Sequence, residues 1–264
     1  MTRLIGLAAL TVLECPHDWQ VRIAAQAGYT HVGLRLVPVA GQPYEHPLDV
    51  ELVETCLRDT GVRVLDVEVF RLTRETKVAD WERVLAISQR LGASDILVHG
   101  ADADESRLTE TFGRLCELAG RHRLRANLEP MPWVDVSNVA KALRVLRGAG
   151  KANSGLLVDA IHFFRAGDSL DELRNVPREY LHYAQLCDAR REKPADMQEI
   201  IRQARGDRRF PGEGGLDLRG LLAALPADIP LSLEVPVAEK LEPLERARRA
   251  RAATAAILGG SEAT

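Results

Sequence analysis

The sequence predicts a parallel α/β barrel of eight strands, a (β/α)8 fold, as one domain over residues 1–264. The first observation is the length, because 264 residues is typical of one such barrel. The second is the alternation of short apolar runs with amphipathic helical stretches, at intervals of about thirty residues, the length of one βα unit. An open doubly wound sheet is the alternative, but no glycine-rich phosphate loop follows the first strand.

The predicted strands are short apolar runs, rich in leucine and β-branched residues, and are set between helical stretches. A strand of this kind is buried on both faces in a parallel sheet, which explains the lack of strict polar alternation. The eight runs cover residues 4–9, 31–36, 62–69, 94–98, 125–129, 155–159, 181–187 and 230–234.

The predicted helices carry apolar residues at a spacing of three to four, and most of them stop just before a glycine. The stretch 135–149 has such a stripe and is followed by Gly150. The stretch 240–258 is rich in arginine and alanine, and we expect its arginines to form a solvated face or a contact to a second subunit. The sequence does not decide whether the protein is a monomer or a homo-oligomer.

Composition excludes several classes of protein. The net charge is −3, whereas nucleic-acid binders usually carry a basic excess. The four cysteines are scattered without a CxxC pair, so we expect neither disulfides nor a structural zinc site, and a cytoplasmic setting fits. The apolar run near the start is too short to span a membrane and has no cleavage site, so it predicts a first strand and no membrane partner.

Four oxygen-bearing side chains end consecutive predicted strands. The active residues of such barrels lie at the carboxyl ends of the strands, so these side chains are expected to converge. Converging buried carboxylates need a cation, and oxygen ligands favour a hard ion such as Mg²⁺ or Mn²⁺. The alternative is that each acid simply pairs with an arginine. The four residues are Glu129, Asp159, Gln185 and Glu234.

Two further histidines are candidates for the same cavity. His162 follows Asp159 by three residues, and its near-neutral intrinsic pKa suits proton transfer beside a polarised carbonyl, although a surface-loop role is the alternative. His99 follows the fourth strand, and the sequence leaves open whether its side chain lines the pocket. His182 lies three residues from Gln185 on one strand, so we expect it to face away and pack against a helix.

Arginines at the mouth of the barrel suggest a carboxylate or phosphate on the substrate. Arg35 ends the second strand, and Glu68 and Arg71 lie near the end of the third. A salt bridge between Glu68 and a neighbouring arginine is the competing interpretation. In the Pro- and Gly-rich loop 208–215, Arg209 is a further candidate for substrate binding, with a plain solvated turn as the alternative.

These residues together resemble the xylose-isomerase-like barrel superfamily over nearly the whole chain. Members include sugar phosphate isomerases and epimerases, inosose dehydratases and 3-dehydroshikimate dehydratases, with the AP endonucleases as a more distant branch. The pattern is fairly specific for the superfamily and not for one reaction. It comprises Glu129, Asp159-Ala-Ile-His162, Gln185-Leu-Cys-Asp188, Arg209-Phe-Pro-Gly-Glu-Gly and Leu233-Glu234.

Gln185 narrows the resemblance, because most members have histidine as the third metal ligand. Glutamine here, with Asp-x-x-His before it and a Pro-Gly-x-Gly loop after it, looks like the bacterial 3-dehydroshikimate dehydratase branch. That similarity implies four metal ligands, an acid/base histidine and two substrate-binding arginines. They are Glu129, Asp159, Gln185 and Glu234 for the metal, His162 for proton transfer, and Arg71 and Arg209 for the substrate.

Two departures from the pattern affect substrate binding and leave the metal ligands intact. Family members commonly have an acidic residue in the second strand, where this chain reads Val32-Gly33-Leu34-Arg35. Arg209 stands one residue closer to the Pro-Gly pair than the pattern expects, so Arg208 is an alternative for its role.

The resemblance favours a sugar or sugar phosphate isomerase or epimerase with one divalent ion, Mg²⁺, Mn²⁺ or Co²⁺. Its substrate would be a small polyhydroxylated carbonyl compound that reacts through an enediolate. Glu129 or Glu234 would be a base as well as a ligand, with His162 as partner. The alternative is a 3-dehydroshikimate dehydratase, in which the enediolate expels a β-hydroxyl group. An inactive ligand-binding barrel is a distant alternative, and an endonuclease is disfavoured by the charge and the single histidine.

Overall fold

The computed structural model describes residues 3–39 and 46–259, which form a barrel of parallel strands surrounded by helices. The strands are β1 (Ile5–Leu7), β2 (His31–Arg35), β3 (Arg63–Leu72), β4 (Asp95–Gly100), β5 (Arg125–Glu129), β6 (Ser154–Leu156), β7 (Val158–Asp159), β8 (Ala184–Leu186) and β9 (Leu231–Leu233).

The α-helices follow the strands in alternation, as the periodicity predicts. They are α1 (His17–Gln26), α2 (Val50–Thr60), α3 (Glu82–Arg90), α4 (Glu105–Arg121), α5 (Val139–Ala149), α6 (Ala160–Ala166), α7 (Leu170–Arg174), α8 (Met197–Gly206), α9 (Leu218–Ala224) and α10 (Pro243–Gly259). Three short 3₁₀ helices lie at Ala9–Val12, Val78–Trp81 and Arg178–Tyr180.

The sheet closes into a barrel of eight strand positions. Its order is β6-β5-β4-β3-β2-β1-β9-β8-β7, so its two ends are β6 and β7. These two strands are separated only by Leu157, whose N–H donates to the carbonyl of Leu128 on β5 at 3.0 Å. They are therefore two halves of the sixth predicted strand, one paired with each neighbour. The predicted (β/α)8 barrel is confirmed.

Two strands run further towards the mouth of the barrel than the apolar runs alone predict. β3 continues to Leu72 and β4 to Gly100 because the two pair there, with Arg71 opposite His99. His99 is in turn opposite Glu129 on β5. Backbone pairing thus sets candidate residues of three strands at the same level.

Local signals fix the helix ends. Asp49 and Asn138 accept hydrogen bonds from N–H groups in the first turns of α2 and α5. Gly61 and Gly150 end the same two helices with φ of 72° and 59°, a left-handed conformation that costs other residues more. The prediction that helices end just before a glycine is therefore confirmed at these two positions.

The main core lies between the sheet and the surrounding helices, and a smaller apolar cluster lies inside the barrel. The sequence predicted that His182 packs against a helix, whereas its side chain contacts two strands of the sheet. Its Nδ1 lies 2.8 Å from Oδ1 of Asn127 on β5, and its ring lies against Gly155 on β6. A glycine at 155 leaves the space that the ring occupies.

The arginines of α10 are not simply a solvated face. Arg246 is buried and forms an ion pair with Glu14, and the guanidinium of Arg249 stacks over the ring of Phe210, 4.5 Å from its centre. The carbonyl of Ala247 accepts a hydrogen bond from the hydroxyl of Tyr29 at 2.8 Å. These contacts tie the last helix to the barrel.

All four cysteines are free thiols. Among residues 3–39 and 46–259, no helix combines the length and the hydropathy that crossing a bilayer requires.

The first prediction concerns the buried His31 on β2. Burial, with Arg63 adding, lowers the pKa of His31 to about 4, below the ordinary 6.5. Because the pKa of His31 is lower in the folded protein than in the unfolded chain, neutral His31 contributes stability above pH 6.5. This contribution is lost as the pH falls towards 4. The free energy of unfolding of the wild-type protein should fall between pH 7 and pH 4.5. We expect this fall to be smaller in His31→Gln, by up to about 2 kcal/mol. Urea unfolding at both pH values measures it, and equal losses in both proteins would contradict the prediction.

Candidate active site

A cavity of about 410 Å³ opens where the strands end. Seven of the residues singled out from the sequence line it, and Asp159 and Gln185 contact the lining residues Arg208 and Glu234. Two arginines at the end of α8 and just after it also line the cavity. The sequence indicates one of them, Arg208, as an alternative to Arg209, and does not indicate Arg205. The seven are Arg35, Glu68, Arg71, His99, Glu129, His162 and Glu234, and the two arginines are Arg205 and Arg208.

Within the described part of the chain, Glu129, Asp159 and His162 form a close group of potential metal ligands. One ligand atom from each lies within 4.8 Å of the others, and all three residues are buried. Asp159 caps α6, because its Oδ1 accepts hydrogen bonds from the N–H groups of Ile161 and His162 at 2.9 and 3.3 Å. The same capping contact orients His162, which lies in the first turn of that helix.

Gln185 and Glu234 complete the set from the neighbouring strands. The amide of Gln185 donates to Oε1 of Glu234 at 3.3 Å. Within the described residues, neither Oε1 of Gln185 nor Oε1 of Glu129 has a hydrogen-bond partner, although both are buried. Such atoms are costly unless a cation or an ordered water satisfies them.

Arg208 bridges two of the acids. Its guanidinium donates to Oδ2 of Asp159 at 2.7 Å and lies 2.6 Å from Oε2 of Glu234, and the side chain is 2% exposed. The alternative that the acids pair with arginines therefore holds for these two. It does not hold for Glu129, whose Oε2 instead lies 2.6 Å from Nε2 of His99.

The charges of this group do not balance. Glu129, Asp159 and Glu234 offer three carboxylates, and among the described residues Arg208 is the cation that bridges two of them, Asp159 and Glu234. Burial raises the pKa of Glu129 and of Glu234 well above their ordinary range. For Asp159 burial acts in the same direction, but Arg208 and His162 outweigh it and lower the pKa. With all three ionised, two negative charges are left, which is the charge that one divalent cation neutralises. The donor set therefore fits such an ion.

Both histidines of the cavity are neutral at pH 7. Burial lowers the pKa of His162 and of His99 to about 3. The His162 ring meets Trp133 edge-on, with ring centres 4.9 Å apart, and its Nδ1 has no partner among the described residues. A neutral imidazole with a free nitrogen can accept a proton from a bound molecule. His99 can donate its N–H to Glu129 and so hold that carboxylate in place.

The arginines of the cavity fall into two groups. Arg35 donates through Nε and Nη2 to Oε1 of Glu68 at 2.9 and 2.6 Å, as the competing interpretation had it. Arg71 and Arg205 are exposed at the cavity wall, and no carboxylate of the described residues pairs with them. They are free to bind an anion. Arg205 was missed because it lies on α8 rather than at a strand end.

Arg209 lies outside this cavity. Its side chain is exposed and borders a separate surface pocket, while its backbone pairs with that of Asp188 in an antiparallel bridge. Adjacent residues of an extended segment point to opposite sides, so Arg208 takes the inward position. Arg208 is also the residue that stands at the expected spacing before the Pro-Gly pair.

Asp188 organises the loop that carries both arginines. Its buried carboxylate accepts four backbone N–H groups, from Ala189 and Leu216 on Oδ1 and from Gly212 and Gly214 on Oδ2, at 2.8–3.1 Å. A side chain at 214 would collide with this carboxylate, since its Cβ would lie 2.3 Å from Oδ1. The glycines of the sequence motif are therefore needed to wrap the loop around Asp188.

The model of the xylose isomerase-like TIM barrel family matches residues 21–257. The chain belongs to this family. The family match agrees with the barrel and with the site at its strand ends, since members of one family share a fold. The reaction has to be argued from the site itself.

Two curated relatives are 3-dehydroshikimate dehydratases of Pseudomonas. The Pseudomonas aeruginosa protein is 32% identical over 195 residues, which is 67% of this chain and 30% of that protein. The Pseudomonas putida protein is 30% identical over 163 residues, 58% of this chain and 25% of that protein. The chain thus spans less than a third of the length of these relatives.

Solved structures share the fold at lower identity. A xylose isomerase-like TIM barrel/4-hydroxyphenylpyruvate dioxygenase fusion protein has a TM-score of 0.84 and 21% identity, over 99% of this chain and 43% of that chain. The IOLI protein, solved with a bound zinc atom, has a TM-score of 0.81 and 15% identity, over 99% of this chain and all of that chain.

The second prediction concerns Asp188. Asparagine has the same shape but one acceptor oxygen, so its NH₂ group would face backbone donors. We expect Asp188→Asn to lower the free energy of unfolding by about 1–3 kcal/mol, measured by urea denaturation. Asp217→Asn is the matched control, because Asp217 caps α9 through a single exposed contact and asparagine caps as well. Similar small losses in both variants would show that the four contacts contribute little.

Proposed function

We propose that this cavity removes the proton beside the carbonyl of a small hydroxylated keto acid and then expels a β-hydroxyl group, the reaction of a 3-dehydroshikimate dehydratase. The observation that carries the proposal is the group of three buried carboxylates and the Gln185 amide, short of two positive charges and next to the neutral His162. The glutamine ligand and the sequence similarity to two 3-dehydroshikimate dehydratases favour this reaction over others of the family.

A divalent ion, Mg²⁺, Mn²⁺ or Co²⁺, would be held by Glu129, Asp159, Gln185 and Glu234, and would supply the Lewis acid that polarises the substrate carbonyl. Polarisation makes the neighbouring C–H group acidic. The chain's own residues do the rest: they orient the substrate, move the proton and exclude water.

His162 is the proposed acid/base. An imidazole nitrogen of His162 takes the α-proton, which leaves the electron pair of the C–H bond in the enolate. As the enolate collapses, the β C–O bond breaks and the imidazolium returns the proton to the departing hydroxyl, so that one water leaves. The ring of Trp133 packs against the imidazole at nearly a right angle, with ring centres 4.9 Å apart. With 3-dehydroshikimate, tautomerisation of the resulting dienone gives an aromatic ring.

The other residues that line the cavity suit a ring-shaped substrate with a carboxylate group. Arg71 and Arg205 supply guanidinium groups without an acidic partner among the described residues. Val69, Trp81 and Leu97 offer apolar surface for the face of a ring. A six-membered ring with one carboxylate, one ketone and two hydroxyl groups matches both kinds of wall.

A sugar phosphate isomerase or epimerase is the second candidate. The same site would form the same enediolate and return the proton to carbon, and the two unpaired arginines would bind a phosphate as well as a carboxylate. The two reactions differ in whether a β-hydroxyl leaves, so a substrate panel separates them.

The third prediction is metal-dependent turnover. The chelator-stripped protein should be inactive towards 3-dehydroshikimate and regain activity with Mg²⁺, Mn²⁺ or Co²⁺, measured by the ultraviolet absorbance of the aromatic product. His162→Gln should lose at least about 10²-fold in kcat, the scale of a positioned acid/base. Arg209→Gln, outside the cavity, should retain activity.

Turnover that needs no metal, or that survives in His162→Gln, would contradict this mechanism. Absence of turnover in a protein that still binds Mn²⁺ would move the assignment to isomerisation or epimerisation. Keto sugars and their phosphates are then the next substrates.

The fourth prediction concerns substrate binding by Arg205. Glutamine at this position removes the charge but not the polarity, so Arg205→Gln should raise KM about tenfold or more while kcat changes little. Steady-state kinetics of Arg205→Gln and of the control Arg209→Gln measure this difference. An equal effect in both variants, or a loss confined to kcat, would contradict the role.

A further inference from the structure

We propose that Arg208 is a fixed counter-ion that sets the charge of the metal site, so that the site accepts a divalent cation in preference to a trivalent one. The inference rests on the metal site of the proposed function. It gives Arg208 a role towards the ion, separate from any contact with substrate.

Arg208 is held too firmly to leave when a cation arrives. Besides the two carboxylates, its Nε donates to the carbonyl of Ala204 at 2.7 Å, and Nη1 donates to the carbonyl of Glu234 at 3.2 Å. Its backbone N–H donates to the carbonyl of Pro236 at 3.0 Å, and the following residue is paired with Asp188. The guanidinium therefore stays beside the carboxylates that would hold the metal.

The contacts of Arg208 leave Oε1 of Glu234 available, whereas Oδ1 of Asp159 is already engaged by the N–H groups of Ile161 and His162. Arg208 contacts Oδ2 of Asp159 and Oε2 of Glu234. Oε1 of Glu234 is engaged only by the weak donor of Gln185 at 3.3 Å, and Oε1 of Glu129 has no partner among the described residues. At Glu129 and Glu234 the arginine and a cation can thus bind without competing for one oxygen, and at Asp159 the cation would share an oxygen with an existing hydrogen bond.

The charge count then decides which ion fits. Three ligand carboxylates and Arg208 leave a charge of −2. The Arg35–Glu68 pair is neutral as a unit, with Arg35 2.6 Å from Glu68. Arg71 and Arg205 are exposed, so solvent screens them. A divalent ion brings the buried group to zero, whereas a trivalent ion leaves it at +1, and uncompensated buried charge is costly.

Removing the charge of Arg208 should invert this preference. The site charge becomes −3, so a trivalent ion is now the one that neutralises it. In the wild-type protein the guanidinium repels each unit of charge on the bound ion at short range, in a medium of reduced dielectric constant. The substitution removes this repulsion. The extra unit on a trivalent ion should therefore gain about tenfold or more in relative affinity.

The experiment compares terbium(III) with Mn²⁺ in the chelator-stripped full chain. Trp81 and Trp133 both line the cavity, so they can transfer excitation energy to terbium bound there. Mn²⁺ is titrated as a competitor. The proteins are wild type, Arg208→Gln, Arg208→Met as a second neutral variant, Arg208→Lys, which keeps the charge, and Arg209→Gln, which removes the same charge one residue away.

We expect the ratio of the Mn²⁺ Kd to the terbium Kd to rise about tenfold or more in both neutral variants. The ratio should stay near the wild-type value in Arg208→Lys and Arg209→Gln. Circular dichroism identifies any variant that has not folded. An unchanged ratio in the neutral variants, or an equal rise in Arg209→Gln, would overturn the proposal.

Failure of the dehydratase assay does not affect this outcome, because the readout is ion binding and not turnover. A wild-type protein that binds neither ion would overturn both the metal site and the role of Arg208. A shifted ratio without turnover would leave the role of Arg208 intact and reject only the assigned reaction.

Discussion

The cost of burying carboxylates is the constraint on which the site depends. Ligand atoms of Glu129 and Asp159 lie within 4.8 Å of each other at the mouth of the barrel, and Arg208 bridges Asp159 and Glu234. Such a group is stable only if its charge is compensated or its acids are protonated. Arg208 compensates one charge, and the remaining two explain why a divalent ion is the cofactor that we propose. The divalent ion that we propose for this position would polarise the substrate carbonyl, which enolisation requires.

Closure of the barrel makes this concentration of charge possible. Parallel strands end at the same edge, and the split of the sixth strand into β6 and β7 lets it pair with β5 on one side and β8 on the other. The residues around the ring of strand ends are therefore brought to one cavity from distant parts of the sequence. The loop around Asp188 then adds Arg208 from outside the strands, which no strand pattern would have indicated.

Much of the candidate site could be predicted because strand ends are visible in the sequence. An apolar run that stops at an acid, as at Glu129, Asp159 and Glu234, predicts both the strand and the direction of its last side chain. Arg205 could not be found in this way, because its position depends on how α8 packs over the barrel. The choice between Arg208 and Arg209 depended on a backbone bridge between two loops. His182 was placed wrongly, because what lies beside a strand start depends on its neighbours in the sheet.

The sequence by itself determined the (β/α)8 fold, the strand-end residues and the oxygen-rich character of the site, since these follow from local periodicity and from residue type. The tertiary structure decided the charge balance. It paired Arg35 with Glu68, placed Arg208 between Asp159 and Glu234, and left Arg71 and Arg205 without acidic partners among the described residues. The physical reason is that electrostatic energy depends on distance and burial, which the linear order of residues does not specify.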